Sequence, residues 1–206
     1  MSDHIMPRLV SADALPAIFG SKDHSWLERL STEAPGRVAS LNQWFEEYYE
    51  GRRDNEDDFD PATRLDFSAA LTDILNGHLT TDHYEVYLST WELLCDSLGE
   101  RLDEHWAYRS EWVEPFDELL KSHGLRLQIL ELAYSSQPPF PLPRNPDLGM
   151  SVGYWPAADL DHARAVLARN PLHSDDPEFQ DTIDSIVRWL ELAARVPSGM
   201  IVGFCY

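Results

Sequence analysis

The last seven residues of the chain, 200–206, read Met-Ile-Val-Gly-Phe-Cys-Tyr and carry no charged side chain. A continuous apolar run of this length is typical of a strand that is buried on both of its faces. We therefore expect the C-terminal segment to lie inside a sheet, and this expectation constrains the fold because other elements must cover that sheet.

Two further segments have the character of strands. Residues 5–10 contain apolar and β-branched residues that are interrupted by Pro7, which removes a backbone donor and predicts an edge strand. Residues 151–155 predict a short strand, whereas residues 125–134 have spacings that fit either a strand or a helix.

Amphipathic helices fill most of the remaining chain. Apolar residues recur every three or four positions over residues 37–50, and again in a regular segment that starts at Thr80 or Thr81 and stops at Gly99. Capping residues and helix stop signals predict further helices over residues 12–19, 24–34, 61–75 and 111–123 and after Pro156 and Asp176. Because the helices come in runs, the predicted fold is α+β: a mainly helical single domain, residues 1–206, packed on a small sheet that includes the C-terminal strand.

Two segments are predicted to be neither helix nor strand. Residues 137–146 contain five prolines, which favours an extended, polyproline-like connector across the surface. Residues 51–60 form an acidic loop, in which Asp54, Glu56 and Asp58 fall at the first, third and fifth positions of a calcium loop. Phe59 and Leu65 stand where that loop needs Gly and Glu, so a solvated loop is the interpretation we favour.

The chain has 36 acidic and 16 basic residues, for a formal net charge of −20. Such a surface attracts cationic partners and repels phosphates and anionic lipids. Its adjacent basic pair Arg52-Arg53 is embedded in acid, which excludes nucleic-acid binding. No apolar segment approaches the roughly 20 residues of a membrane span or resembles a secretory leader, so we expect no membrane association and a cytoplasmic protein.

Motifs for phosphate, dinucleotide or zinc binding, a nucleophile elbow and a CxxC pair are absent from the sequence, so no catalytic residue, metal or cofactor is assigned. Cys95 and Cys205 have apolar neighbours and are expected to be buried free thiols. Two clusters of titratable residues offer alternatives. A metal site could be formed by His78, Asp82 and His83. General acid–base chemistry could use Asp103, Glu104, His105 and Glu111.

The candidate binding residues are acidic and aromatic. Tyr154 and Trp155 follow the connector and could form an exposed platform, since aromatic residues are frequent binding hot spots; the alternative is that Trp155 completes the core beside the sheet. Trp44, Trp91 and Trp189 lie within helical stripes and are assigned to the core. The acidic candidates for partner binding are Asp54, Glu56, Asp57, Asp58 and Asp60.

Three functions remain open. The first is an acidic partner-binding protein, an immunity-type or antitoxin-type inhibitor of a basic protein. The second is a small enzyme or small-molecule binder with a pocket near Trp106 and Trp112. The third is a housekeeping protein whose acidity only keeps it soluble.

Several stretches of the chain resemble a known group of sequences, namely residues 14–23, 93–100, 141–143, 152–154 and 203–206. On these stretches the chain is similar to an uncharacterised family of short acidic proteins from high-GC bacteria, known only as a domain of unknown function. The resemblance implies a single-domain layout over most of the chain and brings no catalytic residues. Residues 46–60 look like an addition specific to this member.

Overall fold

A computed structural model describes residues 2–55, 60–80, 83–103, 106–135, 137–144 and 150–206, with only the backbone described at 2, 3, 53–55, 61, 107 and 108. The chain divides into two compact units. The sheet unit comprises Met1–Pro16, Leu98–Phe140 and Asp147–Tyr206, and the helical unit comprises Ala17–Ser97 and Pro141–Pro146. The prediction of one domain stays a prediction.

The sheet unit contains an antiparallel sheet and four helices. Its strands are β1 (Ser2–Ser11), β2 (Glu100–Arg101), β3 (Trp106–Arg109), β4 (Ser151–Trp155) and β5 (Gly199–Cys205), in the order β2-β1-β5-β4, with β3 also paired to β1. The helices of the helical unit are α1 (Ser25–Glu33), α2 (Pro35–Asn55), α3 (Phe67–Asn76) and α4 (Tyr84–Leu98). Those of the sheet unit are α5 (Ser110–Ser122), α6 (Ile129–Ala133), α7 (Ala157–Arg169) and α8 (Pro177–Ala193).

The C-terminal run forms the interior strand that its composition predicts. β5 lies between β1 and β4, and six of its seven residues are buried. Ile201 belongs to the hydrophobic cluster that α5–α8 build on one face of the sheet. On the other face, the ring of Phe204 stacks on Phe140 at a centroid distance of 6.2 Å. The predicted α+β class and the placement of the C-terminal strand are confirmed.

β1 is a strand as predicted, but the prediction that it lies at the edge is wrong. It pairs with β5 on one side and with β2 and β3 on the other. The carbonyl of Pro7 accepts the N–H of Leu102 at 3.1 Å, on the side of β2 and β3. The backbone N–H that proline lacks would point to that same side, at the position between the pairings of β1 with β2 and with β3. No hydrogen bond to a continuous neighbouring strand is therefore lost.

Two glycines allow α6 to pack closely against the sheet. Gly153 of β4 and Gly203 of β5 are paired across the strands. A Cβ atom would lie 2.0 Å from the Glu131 carbonyl oxygen at Gly153 and 2.3 Å from the Leu132 carbonyl oxygen at Gly203. The segment 125–134, whose spacings fit either a strand or a helix, thus contains the short helix α6. The backbone of α6 lies directly over these two glycines of the sheet.

The helix predicted over residues 12–19 is wrong, and so is the start of the helix predicted from Pro61. Residues 12–20 form successive turns, because Ser11 still pairs with Gly199 in the sheet and Ala12 donates its N–H to Ser198. The helix predicted from Pro61 has only a 3-10 turn there and begins at Phe67. Its cap is Asp66, whose carboxylate accepts the N–H of Ala69 at 2.7 Å.

The other helices agree with the sequence in type and approximate position. α2 extends beyond the predicted range at both ends, so that residues 51–55 of the predicted acidic loop are helical. α8 begins as predicted at Asp176, which caps it by accepting N–H groups of Glu178 and Phe179. Residues 137–144 of the connector are neither helix nor strand, although Phe140 is buried, and residues 145–146 lie outside the described residues.

Candidate functional site

The predicted acidic site is only partly within the described chain. Asp54 lies in α2, where only its backbone is described, and residues 56–58 lie outside the described residues. Asp60 is exposed, and its carboxylate accepts the N–H of Ala62 at 2.9 Å, as a turn-capping residue does. The role of these residues in partner binding stays a prediction.

Trp155 is a core residue, which corrects its interpretation as an exposed platform. Its side chain is 1% exposed, and its indole N–H donates to the Gln128 carbonyl at 2.7 Å. The ring also packs against Trp189. Tyr154 points to the opposite face of β4 and is half-buried. The alternative, that Trp155 completes the core beside the sheet, is the one that the structure supports.

Several residues of the two clusters considered for a metal site and for acid–base chemistry form hydrogen bonds with neighbouring side chains. His83 is 3% exposed, and its Nδ1 is hydrogen-bonded to the Tyr49 hydroxyl at 3.1 Å, while His78 is exposed. Asp103 accepts from Arg188 at 2.8 Å and from the indole of Trp189 at 2.9 Å. Residues 82, 104 and 105 lie outside the described residues, and no metal-binding group of His, Cys, Asp and Glu occurs within the part of the chain that is described.

Trp106 and Trp112, near which a pocket was expected, pack edge to face against each other at a centroid distance of 6.1 Å. Trp106 is buried in the hydrophobic cluster of the sheet unit, and Trp112 packs against that cluster. Trp91 and Trp189 are fully buried as predicted, whereas Trp44 is half-buried. Cys95 is buried as predicted and Cys205 is half-buried, and the two are not joined in a disulfide.

A groove with an apolar lining lies between two helices of the sheet unit and is here called the α7–α8 groove. It arises because both helices turn their main apolar stripes toward the sheet and leave a second, narrower apolar strip between them. Val187 is 37% exposed in this strip. The groove encloses about 440 Å³ and is lined by Arg164, Leu167, Ala168, Pro171, Leu172, His173, Gln180, Ile183, Asp184, Val187, Leu190 and Glu191.

Carboxylates dominate the rim of this groove on the α8 side. Asp184 accepts a hydrogen bond from the Gln180 amide at 2.8 Å. Glu191 is exposed and takes part in no ion pair with any residue that the structure describes. On the α7 side the cation of Arg164 is paired with Asp161. The α8 rim therefore presents two negative charges beside an apolar floor.

This groove was not predicted from the sequence, although the sequence contains a feature that indicates it. The apolar residues of α8 at positions 179, 183, 186, 187 and 190 recur at helical spacing, which predicts that all five face inward, Val187 included. In the structure Ile183, Ile186 and Leu190 are buried, and Val187 is not. A stripe wider than one packed face is the sequence feature that indicates an additional apolar contact surface.

The helical unit has a cavity of different composition, here called the α2–α3 cavity. It encloses about 500 Å³ and is lined by Asn42, Phe45, Glu46, Tyr49, Arg64, Leu65, Asp66 and Ala69. The Tyr49 hydroxyl accepts the N–H of Leu65 at 3.1 Å, and burial raises the pKa of this hydroxyl. The guanidinium of Arg64 lies 5.8 Å from the centre of the Tyr49 ring. Charges of both signs thus surround a buried aromatic floor.

The fold and its grooves define an α+β protein with no recognised catalytic motif. The chain belongs to the family described as Domain of unknown function (DUF7691), whose model matches residues 1–206. No curated protein and no solved structure shows a significant match to the chain. Among the helices that the structure describes, none combines the length and hydrophobicity that a membrane crossing requires.

Proposed function

We propose that the protein binds a basic protein partner and that the α7–α8 groove makes the central contact. The observation that carries the proposal is the combination, in one place, of an exposed apolar floor at Val187 with the carboxylates of Asp184 and Glu191. Apolar burial supplies most of the affinity at such a contact, while carboxylates around it select positively charged partners.

The narrower form of this proposal is an inhibitor of the immunity or antitoxin type, which covers the basic surface of another protein. The net charge of −20 supports it, because a complementary field raises association rates to about 10⁸–10⁹ M⁻¹s⁻¹ at low salt. An inhibitor has to reach its target before the target acts, so fast association suits this role. The proposal places the encounter in the cytoplasm, as the sequence predicts.

The test is affinity capture from cells of the source organism with the tagged protein, followed by mass spectrometry. We expect a basic protein to be captured at low salt and to be lost from the double variant Asp184→Lys, Glu191→Lys. The matched control is Glu50→Lys, Glu114→Lys, which makes the same change in charge at two exposed positions outside the groove. Failure to recover any basic protein, or equal loss with both double variants, would contradict the proposal.

A second candidate function, small-molecule binding, is favoured by the α2–α3 cavity. Arg64 can bind an anionic group and Glu46 a cationic group above the floor of Phe45 and Tyr49, which suits a small zwitterion such as an amino acid. Thermal unfolding in the presence of individual amino acids at millimolar concentration tests it. A rise in midpoint that Arg64→Gln abolishes supports this function, and the absence of any rise excludes amino acids as ligands.

A further inference from the structure

The partner segment that occupies the α7–α8 groove can be specified further from the geometry of α8. We infer that it is a single amphipathic α-helix with two basic residues seven positions apart on either side of an apolar residue. This inference rests on the proposed function, because it describes the part of the basic partner that enters the groove.

The length of the groove suits a short helix. The residues of α8 that line it run from Gln180 to Glu191. At 1.5 Å per residue, this stretch is about 16 Å long, which corresponds to three helical turns. Three turns are the usual length over which an amphipathic helix places its anchor residues in a groove.

The spacing of the two rim carboxylates selects a helix over a strand. Asp184 and Glu191 are seven residues apart on α8, and therefore about 10.5 Å apart along its axis. A partner helix lying along α8 repeats this distance between residues seven apart on one face. A strand would cover it in about three residues, and residues three apart in a strand point to opposite faces.

The floor between the carboxylates defines the residue that the partner places between its two basic ones. Val187 follows Asp184 by three residues and precedes Glu191 by four, so these three groove-lining residues give the order acid, apolar, acid at helical spacing. The neighbouring exposed cation, Arg188, does not line the groove and is paired with Asp103 at 2.8 Å. A helix with Lys or Arg at positions i and i+7 and Leu at i+3 or i+4 matches this order in either direction. Such a helix meets the exposed valine with an apolar side chain and both carboxylates with a cation.

The inference can be tested with two synthetic peptides of identical composition, measured by isothermal titration calorimetry against the full-length protein at low salt. One peptide has Lys at i and i+7 and Leu at i+3 and i+4 over three helical turns. The other contains the same residues rearranged so that Lys and Leu occupy alternate positions, as in a strand. We expect the helical pattern to bind at least about tenfold more tightly, and its circular dichroism at 222 nm to become more negative on binding.

Val187→Glu separates contact in the groove from attraction by charge alone. It adds a negative charge, so a purely electrostatic attraction would strengthen, whereas loss of the apolar floor should weaken the helical peptide about tenfold. The matched control is Ser110→Glu, which adds the same charge at an exposed position outside the groove and should not weaken binding. Val187→Ala, which only shortens the side chain, should weaken binding about three- to tenfold and serves if the glutamate variant does not fold.

The outcomes distinguish this inference from the proposed function. Equal affinity of the two peptides, or tighter binding by Val187→Glu, would overturn the helical partner while leaving an acidic binding protein in place. Absence of binding by either peptide at low salt would count against both. The inference requires that Val187→Glu and Val187→Ala weaken binding of the helical peptide and leave the weaker binding of the strand-pattern peptide unchanged.

Discussion

The sheet unit and the helical unit carry the same excess of negative charge, yet they are built in different ways. The first has 19 acidic and nine basic residues, and the second has 17 acidic and seven basic residues. Each therefore has ten more acidic than basic side chains. Because charge is divided evenly, it does not by itself select a binding surface in this protein. The exposed apolar strip of the α7–α8 groove is the feature that distinguishes this surface as a candidate for binding.

The interior of each unit shows the difference in construction. In the sheet unit the backbone of α6 lies directly on Gly153 and Gly203, and apolar and aromatic side chains fill the remaining core. In the helical unit, tyrosine hydroxyls form hydrogen bonds that join residues distant in sequence, such as Tyr49 with His83 and Tyr87 with Asp73. We expect the first interior to be sensitive to added volume and the second to loss of single polar atoms.

The largest effect is expected for Gly153→Ala in the sheet unit. The new methyl group would lie 2.0 Å from the backbone oxygen of Glu131, which cannot move without displacing α6. Overpacking of this kind should lower the free energy of unfolding by about 3 kcal/mol or more. Urea unfolding followed by tryptophan fluorescence measures the loss.

The control for this variant is Gly51→Ala in α2, where a Cβ atom would meet nothing within 4 Å. There the same substitution should raise stability by about 0.5–1 kcal/mol, because alanine favours the helix over glycine. A Gly153→Ala protein as stable as the parent would show that α6 does not pack on the sheet as closely as described.

The contrast between the units also explains which elements the sequence reveals. β5, α7 and α8 follow from local patterns, namely an uninterrupted apolar run and apolar stripes that begin after Pro156 and Asp176, and each is found where it was predicted. Residues 12–20 have an equally clear helical signature but form turns. The bond from Ala12 to Ser198 that holds them joins residues far apart in sequence, so no local pattern could predict it.

Much of the candidate site was beyond prediction for the same reason. The groove depends on how much of the α8 stripe α7 covers, which is a property of packing between two helices and not of either sequence segment. Trp155 illustrates the opposite case, in which a residue was proposed for the binding site and lies in the core. Its position before a proline and after a connector suggested that its side chain is exposed. Its indole is buried in the hydrophobic cluster of the sheet unit, where the carbonyl of Gln128, 27 residues away, accepts its N–H.

A smaller effect is expected for Tyr49→Phe in the helical unit. This change removes the hydroxyl that accepts the N–H of Leu65 and is bonded to the buried His83 ring. Loss of partners for buried polar groups should cost about 2 kcal/mol. Tyr48→Phe, which removes one bond to the half-buried Glu85, should cost about 1 kcal/mol or less because water can replace the hydroxyl. Chemical unfolding compares the two variants, and equal losses would contradict the importance of the Tyr49 contacts.

The smallest effect, and the most specific to the helical unit, concerns the pH dependence of Tyr87. Burial, together with the hydrogen bond to Asp73, raises the pKa of this hydroxyl from 10 to about 12. The folded protein therefore holds the proton more tightly than the unfolded chain. The stability that this preference contributes is fully present below pH 10 and is lost as the pH rises through 12.

Tyr87→Phe should consequently be less stable than the parent at pH 7, by about 1 kcal/mol, because the bonds to Thr80 and Asp73 are lost. The difference between the two proteins should shrink as the pH rises from 10 to 12, since only the parent has this hydroxyl to ionise. Urea unfolding at pH 7, 10 and 11.5 measures it. Tyr134→Phe is the control, because it removes the hydroxyl of a tyrosine whose side chain is 48% exposed. A stability gap between parent and Tyr87→Phe that stays constant up to pH 11.5 would mean that the hydroxyl ionises as easily in the folded unit as in the unfolded chain.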